Sequence, residues 1–123
     1  MPFVPGIVVE GDRRTLYVAG ATALPLYHKH PHDPKELEIP SDIKEQTRRV
    51  LENIRMVVEA AGAKMENIVT IKKYLTRMQE DQDAIAEVLV EYFGENLPTS
   101  TTIEVKSLVV KDARLEIDAI AVF

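Results

Sequence analysis

The sequence contains no cysteine, and this absence excludes several classes of protein. Without cysteine the chain can form no disulfide scaffold, no catalytic thiol and no thiolate-bound metal site, and it suits a reducing compartment. The N-terminal residues also lack the basic and apolar regions of a signal peptide. No apolar run approaches the roughly 18 residues that cross a bilayer. We therefore expect a cytoplasmic protein.

Positive charge is also in short supply. Lys and Arg together number 15 against 20 Asp and Glu, which gives a net charge of −5 and a pI of about 5.2. Such a chain has no overall field that would attract nucleic acid or an anionic membrane, so binding to either is not expected. Its 123 residues, of which 46% are hydrophobic, instead fit one globular domain over residues 1–123.

Apolar residues that recur every three or four positions predict two amphipathic helices. The first begins after Ser41, which is a suitable N-cap, and ends before Gly62, which suits the C′ position. The second covers residues 79–93 and is closed by Gly94. Each helix has one apolar side, so we expect both helices to pack against a sheet.

Runs of β-branched and apolar residues predict five strands. They cover residues 7–9, 16–19, 68–75, 101–108 and 114–122. The first two flank a Gly-Asp turn signal and should form a hairpin. The order ββ-α-β-α-ββ contains two strand–helix–strand crossovers, so the predicted fold is α+β, a mixed sheet with two helices on one face.

The last predicted strand has two unlike faces. Its odd-numbered residues are apolar and should lie under the helices: Leu115, Ile117, Ala119 and Ala121. Its even-numbered residues combine two carboxylates with two bulky aliphatic groups: Glu116, Asp118, Ile120 and Val122. A partner subunit explains the second face better than an ordinary exposed face with scattered aliphatic residues does. We therefore expect an oligomer.

A series of short motifs, in this order and spacing, resembles the RidA (YjgF) family, which is also called the endoribonuclease L-PSP family. The motifs are Gln46-Thr47-Arg48-Arg49-Val50-Leu51-Glu52-Asn53-Ile54, Ala60-Ala61-Gly62, Leu75-Thr76 with Met78, Glu91-Tyr92-Phe93-Gly94, Pro98, Glu104-Val105 and Glu116-Ile117-Asp118-Ala119-Ile120-Ala121. The resemblance runs from about Leu16 to the C-terminus. It implies a chorismate-mutase-like fold assembled as a homotrimer, with a central barrel of sheets and ligand clefts between neighbouring subunits.

The resemblance also implies a reaction. The best-understood members hydrolyse reactive enamines and imines to keto acids and ammonia, and others have been described as ribonucleases, translation inhibitors or chaperone-like proteins. Imine hydrolysis requires a donor for the substrate carboxylate, backbone N–H groups near it, a positioned water and a proton source. We expect a small-molecule ligand in the subunit cleft, with no cofactor and no metal.

Five residues of this sequence fall on positions of the family's site, and two of them, Asp118 and Ser100, differ from the family's residue. Asp118 stands where the family has a water-positioning glutamate, or is simply a strand carboxylate facing a wet trimer centre. Gly20, followed by Ala21, matches a glycine whose N–H borders the ligand, or is a strand-end glycine at a bend. Ser100, followed by Thr101, stands where the deaminating members carry an arginine. Because serine lacks that residue's charge and bidentate geometry, carboxylate affinity should fall about tenfold or more.

All three histidines lie in one proline-rich loop at every second residue: His28, His30 and His32. In an extended segment they project to one side. Three interpretations follow: a polar surface loop, a zinc site of three imidazoles, or the rim of the ligand cleft. In the last case a histidine or Lys29 would supply the positive charge that is missing at Ser100.

Three functional hypotheses remain open. The first is a hydrolase of enamines or imines in clefts between subunits, and the second is a trimer that binds a metabolite or partner without turnover. The third is RNA cleavage, for which Arg48, Arg49 and Arg55 form a modest basic cluster. The acidic chain disfavours RNA, and the cluster is more simply a solvated helix face.

Overall fold

The computed structural model describes residues 2–26 and 34–123, and two α-helices and four strands form the body of this part of the chain. In order they are β1 (Thr15–Ala21), α1 (Ile43–Ala60), β2 (Ile68–Leu75), α2 (Met78–Phe93), β3 (Thr99–Glu104) and β4 (Leu115–Val122). Short 3-10 turns at Pro34–Leu37 and Met65–Asn67 precede α1 and β2. None of the described helices combines the length and the apolarity that crossing a bilayer requires.

The four strands form one mixed sheet in the order β1-β4-β2-β3. β4 lies antiparallel to both β1 and β2, whereas β3 lies parallel to β2. α2 connects β2 to β3, as a parallel pair requires. The buried residues of both helices and of the sheet form one core. The predicted α+β fold, a mixed sheet with two helices on one face, is confirmed.

α1 forms where the sequence predicts it, but its N-cap lies one residue later than predicted. The Asp42 carboxylate, rather than Ser41, accepts a hydrogen bond of 3.0 Å from the Glu45 N–H. A carboxylate also complements the positive end of the helix dipole, which favours Asp42 over the neighbouring serine. At the other end Gly62 has a φ of +88°, a left-handed conformation that glycine adopts without strain.

The alternation predicted for the last strand is confirmed. The apolar residues of β4 are at most 2% exposed and lie under the helices: Leu115, Ile117, Ala119 and Ala121. The residues between them are partly exposed on the opposite face: Glu116, Asp118, Ile120 and Val122. Because β4 pairs with a strand on each side, its alternation fixes which side chains of β1 and β2 face the helices.

The predicted N-terminal hairpin is wrong. Residues 7–9 are not a strand, and Ile7, Val8 and Val9 are 42%, 85% and 46% exposed. β1 pairs with β4 alone, and two backbone hydrogen bonds of 2.8 and 3.0 Å between Arg14 and Phe123 extend this pairing. Successive side chains of a strand alternate between faces, so three consecutive apolar residues could not all have reached the core.

Other boundaries differ by smaller amounts. The strand predicted over residues 101–108 is observed at Thr99–Glu104, directly after Pro98. The Val105 N–H still donates to the Leu75 carbonyl at 2.8 Å, and the chain then leaves the sheet. β4 begins at Leu115, one residue later than predicted, and α2 begins one residue earlier, at Met78.

A buried ion pair joins α2 to the start of β4. Asp81 lies in the first turn of α2 and is 1% exposed. The Arg114 guanidinium donates to both of its carboxylate oxygens, with a distance of 3.0 Å from Nε to Oδ2. Arg114 also donates from its backbone N–H to Gln46 Oε1 at 3.0 Å and from its side chain to the Ser41 carbonyl at 3.0 Å. This network connects both helices to β4.

Replacing Asp81 by alanine should destabilise the fold, because it leaves the Arg114 guanidinium without its carboxylate. We expect the free energy of unfolding to fall by about 2–4 kcal/mol, slightly less than for a fully buried pair because the Arg114 side chain is 21% exposed. Urea denaturation measures this change. Asp83→Ala, on the exposed side of the same helix, should change stability by at most about 0.5 kcal/mol. Equal effects of the two substitutions would contradict the assignment.

Candidate functional site

The sheet has a face that points away from the helices, which we call the open face. Its side chains include Tyr17, Thr70, Lys72, Tyr74, Thr101, Ile103, Glu116, Asp118, Ile120 and Val122. Tyr17 and Ile103 are 76% and 43% exposed. The open face therefore presents apolar groups next to ionisable ones, which is the mixed character that the sequence predicts for β4.

Asp118 lies in the middle of the open face and is held by a neighbouring tyrosine. The Tyr74 hydroxyl donates to Asp118 Oδ2 at 2.9 Å. Lys72 is the direct cross-strand partner of Asp118, so Tyr74 reaches it diagonally from β2. No group in residues 2–26 or 34–123 donates a hydrogen bond to the other oxygen, Oδ1. That oxygen is available to a water or a ligand.

Tyr74 is a residue that the sequence analysis missed. Its hydrogen bond to Asp118 raises the pKa of the phenol above the ordinary value, and burial and the charges of Asp118 and Glu116 raise it further. The phenol therefore stays protonated at neutral pH and acts as a donor. The sequence shows only that Tyr74 lies two residues after Lys72, so that both side chains are on one face of the strand. The register of β2 against β4 is needed to show that this face also carries Asp118.

Gly20 lies at an irregularity in β1, where the register against β4 shifts between Val18 and Ala21. A Cβ atom at Gly20 would lie 2.7 Å from Oε2 of Glu116, so a larger residue here would displace the end of the Glu116 side chain. Ala21, the next residue, is buried against the core. The structure thus gives Gly20 a close approach to the Glu116 side chain that the sequence did not predict, and its role beside the ligand stays a prediction.

The segment after Gly20 is fixed by a buried side chain of α1. The Asn53 amide donates to the carbonyl oxygen of Thr22 at 2.9 Å and to that of Leu24 at 2.7 Å. Both carbonyls would otherwise lack a partner in a partly buried segment, and an unpaired buried carbonyl is costly. Asn53 therefore determines the direction in which the chain leaves β1.

Ser100 and Thr101 lie on β3, at the opposite edge of the sheet from β1. Thr101 is exposed on the open face, whereas Ser100 points to the helix side and its Oγ is buried without a hydrogen-bond partner. Thr101 pairs with Lys72, which in turn pairs with Asp118, so Thr101 and Asp118 lie two strands apart, about 10 Å.

The predicted site residues do not converge within one protomer. Gly20 and Ser100 are separated by three strand spacings, about 14 Å. Asp118 and Ser100 also project from opposite faces of the sheet. A single site that contains all of them requires a second chain, as the subunit-cleft hypothesis assumes.

Two cavities of about 600 Å³ each lie elsewhere in the described part of the chain. The first lies where β2 and β3 end and β4 begins, and it is lined by polar and cationic residues that include Arg77, Lys106 and Arg114. The second lies beside α1 and includes Met56 and Tyr92. None of the predicted substrate-binding residues lines either cavity.

The remaining sequence predictions concern metal, histidine and RNA. His28, His30 and His32 lie outside the described residues. Within residues 2–26 and 34–123 no cluster of three or more metal-binding side chains is present. The three arginines of the basic cluster are each paired with a carboxylate, in the pairs Arg48–Glu91, Arg49–Glu45 and Arg55–Glu52. Their charge is therefore largely neutralised on the protein itself.

Comparison with known proteins gives a consistent result. A family model described as endoribonuclease L-PSP matches residues 1–123. A RutC family protein of Pyrococcus horikoshii is 47% identical over 92 residues, which cover 74% of this chain and 71% of the relative. The protein named "Putative reactive intermediate deaminase TdcF" of Escherichia coli K12 is 38% identical over 95 residues, covering 75% and 72% of the two chains.

Solved structures agree with the sequence matches. The crystal structure of E. coli TdcF with bound serine superimposes with a TM-score of 0.74 at 29% identity, covering 100% of this chain and 95% of that one. A Mycobacterium tuberculosis member of the YjgF/YER057c/UK114 family superimposes with a TM-score of 0.73 at 27% identity, covering 89% and 79%. The resemblance found in the sequence motifs is thereby confirmed.

Replacing Asp118 by asparagine should lower the pKa of Tyr74, because the phenol loses a charged hydrogen-bond acceptor and a nearby negative charge. A pH titration of ¹³C-labelled tyrosine by NMR measures this pKa, with Tyr74→Phe to assign the resonance. Tyr92, whose pKa is raised to about 12 by burial and by its hydrogen bond to Glu52, is the internal control and should titrate as before. An unchanged Tyr74 titration would show that the hydrogen bond is not formed in solution.

Proposed function

The chain belongs to the endoribonuclease L-PSP family, which includes the YjgF and Rid proteins, and from this premise we propose that it hydrolyses small reactive enamines or imines in clefts between the subunits of a cytoplasmic homotrimer. The relationship to TdcF supports this choice, since that relative is named for the deamination of reactive intermediates. The serine bound in the TdcF crystal structure is a small amino acid of the size that such a cleft would accept.

The observation that carries the proposal is the arrangement at Asp118. Its Oδ2 is held by the protonated Tyr74 hydroxyl, and its Oδ1 accepts from no described group. A carboxylate oriented in this way can accept a proton from a water molecule placed at Oδ1, which is the role of a general base. Asp118 is thus the catalytic residue of the proposal, and Tyr74 is a positioning residue that acts through it.

The reaction follows from general acid–base chemistry. The oxygen of the positioned water bonds to the imine carbon while Asp118 accepts one of its protons. Asp118 then returns this proton to the nitrogen, the carbinol O–H proton is lost to nitrogen through the same carboxylate, and the C–N bond breaks. One imine and one water therefore give one carbonyl compound and one ammonia, and an enamine enters by tautomerising to the imine.

A homotrimer would account for two features of the protomer: the distance between its predicted site residues and the exposed apolar groups on its open face. A neighbouring chain can place its own edge strand beside the first, so that Gly20 of one copy and Ser100 of the next share a cleft. Assembly of the three sheets around a central barrel would in turn cover the apolar part of the open face, where Tyr17 is 76% exposed beside its cross-strand partner Ile120. Burial of such a surface between chains is favourable.

RNA cleavage receives less support than imine hydrolysis. Arg48, Arg49 and Arg55 are each within 3.5 Å of a glutamate oxygen, so they do not form a free basic surface. With a net charge of −5, the chain also lacks the general attraction to phosphate that supplies most non-specific nucleic-acid affinity.

The catalytic proposal is tested by the release of ammonia from 2-iminopropionate generated in situ. We expect the protein to exceed the buffer rate, and Asp118→Asn to reduce the protein-dependent rate by about 100-fold or more, as loss of a general base does. Asp83→Asn, an exposed carboxylate on α2, should leave the rate unchanged. A rate no greater than buffer, together with saturable binding of a keto acid, would favour a binding protein without turnover.

The assembly is tested by light scattering. We expect a mass of about 41 kDa, for three chains of 13.8 kDa. Ile120→Glu should yield single chains, because it adds a carboxylate to an open face that already carries Glu116 and Asp118. Val90→Glu changes an apolar residue that is 51% exposed on α2, and the trimer should persist. A wild-type mass of 13.8 kDa, that of one chain, would show that no cleft between subunits exists.

A further inference from the structure

The cavity where the chain enters β4 has no part in the proposed hydrolysis, since none of the residues assigned to that reaction lines it. Its volume of about 600 Å³ lies in the range of pockets that hold small molecules. Among its described lining residues, four are cationic and one is acidic: Arg77, Lys106, Lys111 and Arg114, and Asp112. We call it the cationic cavity.

Three of these cations are available to a ligand. The ammonium groups of Lys106 and Lys111 form no ion pair and no hydrogen bond with any described group, and both residues are exposed. Arg77 approaches Glu80 only at 4.0 Å, and both of these side chains are more than half exposed. Solvent screens such a contact, so it neutralises little of the charge of Arg77.

The carboxylates beside the cationic cavity are mostly engaged elsewhere. Asp81 is bound through both oxygens by Arg114. Asp42 and Glu104 each accept a backbone N–H at the start of a helix, at 3.0 and 3.1 Å. Among the lining residues only Asp112 then offsets the three available cations, which leaves a surplus of two positive charges. A cleft lined by charges of one sign raises the local concentration of ligands of the other sign.

The cationic cavity is held in shape by a buried glutamine. Gln46 is 1% exposed, and its Nε2 donates to the Pro40 carbonyl at 2.8 Å and to the Asp112 carbonyl at 3.3 Å. These bonds join the segment before α1 to the segment before β4, which are two walls of the cavity. Asp112 has a φ of +66°, which few residues other than glycine adopt, and the bond to its carbonyl holds it there. Because the walls are preorganised, little ordering opposes the binding of a ligand.

Uncharged polar groups at the cationic cavity also lack partners. Ser41, Thr76 and Ser107 line it, and their hydroxyl groups make no hydrogen bond with another described group. The backbone N–H groups of residues 106–112 likewise donate to no described acceptor. Hydroxyl and N–H groups of this kind bind the oxygens of a polyol or of a phosphate group.

We propose that the cationic cavity binds a small phosphate monoester, such as a polyol or sugar phosphate. A phosphate monoester carries about two negative charges near neutral pH, which matches the surplus of positive charge at the cavity. Arg77, Lys106 and Lys111 bind the phosphate oxygens, and the serine and threonine hydroxyls bind the hydroxyl groups of the ligand. A monocarboxylate fits less well, because its single charge would leave part of the surplus uncompensated.

The test is the affinity for glycerol 3-phosphate, measured by isothermal titration of the full chain at low ionic strength. We expect saturable binding, and Lys106→Gln together with Lys111→Gln should weaken it about tenfold or more, since two charged contacts are lost. Lys44→Gln together with Lys64→Gln is the matched control. It removes the same charge from exposed lysines that do not line the cavity, so the affinity should be unchanged. Glycerol, which has no phosphate, should not bind.

NMR locates the site. Addition of glycerol 3-phosphate should shift the amide resonances of residues 106–112 in the wild type. Shifts confined to other residues, or no binding at millimolar concentration, would overturn the proposal. Equal weakening by the two double substitutions would also overturn it, because the effect would then be one of net charge alone. Succinate, which carries two separate carboxylates, should bind more weakly, and equal affinity would overturn the assignment to phosphate. None of these outcomes depends on ammonia release, so the proposed hydrolysis is tested separately.

Discussion

β4 forms backbone hydrogen bonds with β1 on one side and with β2 on the other, and the rest of the structure depends on this double pairing. Because side chains alternate along a strand, burial of Leu115 and Ile117 under the helices forces Asp118 onto the opposite face. A register shift of one residue would place the apolar side chains of β4 on the open face and its carboxylates under the helices. The position of the proposed base is therefore a consequence of the hydrophobic core.

Buried polar side chains determine the paths of the connecting segments, which the hydrophobic core does not specify. Asn53 holds the segment that follows β1, and Gln46 and Asp81 hold Arg114 at the entrance to β4. Each satisfies groups that would be costly to bury alone, so each specifies one direction of the chain. The Ser100 Oγ does not follow this pattern, since among the described side-chain nitrogen and oxygen atoms it alone is fully buried without a hydrogen-bond partner.

Several elements could be predicted from local sequence, and the reasons are physical. The stripe of α1 and the alternation of β4 are periodic patterns whose period alone determines the element. The hairpin at residues 7–9 failed because three adjacent apolar residues carry no such period. Asp42 displaced Ser41 as the N-cap because two adjacent residues can both cap a helix, and only the backbone geometry selects between them.

The sequence by itself determined both helices, four of the five predicted strands, the face of these elements that is buried and the family to which the chain belongs, because these follow from the spacing and identity of residues close together along the chain. Only the tertiary structure decided that Tyr74 reaches Asp118 and that Gly20 and Ser100 lie at opposite edges of the sheet. Those relations depend on the register and order of strands that are distant in sequence, and register is set by how whole strands pack rather than by any single motif.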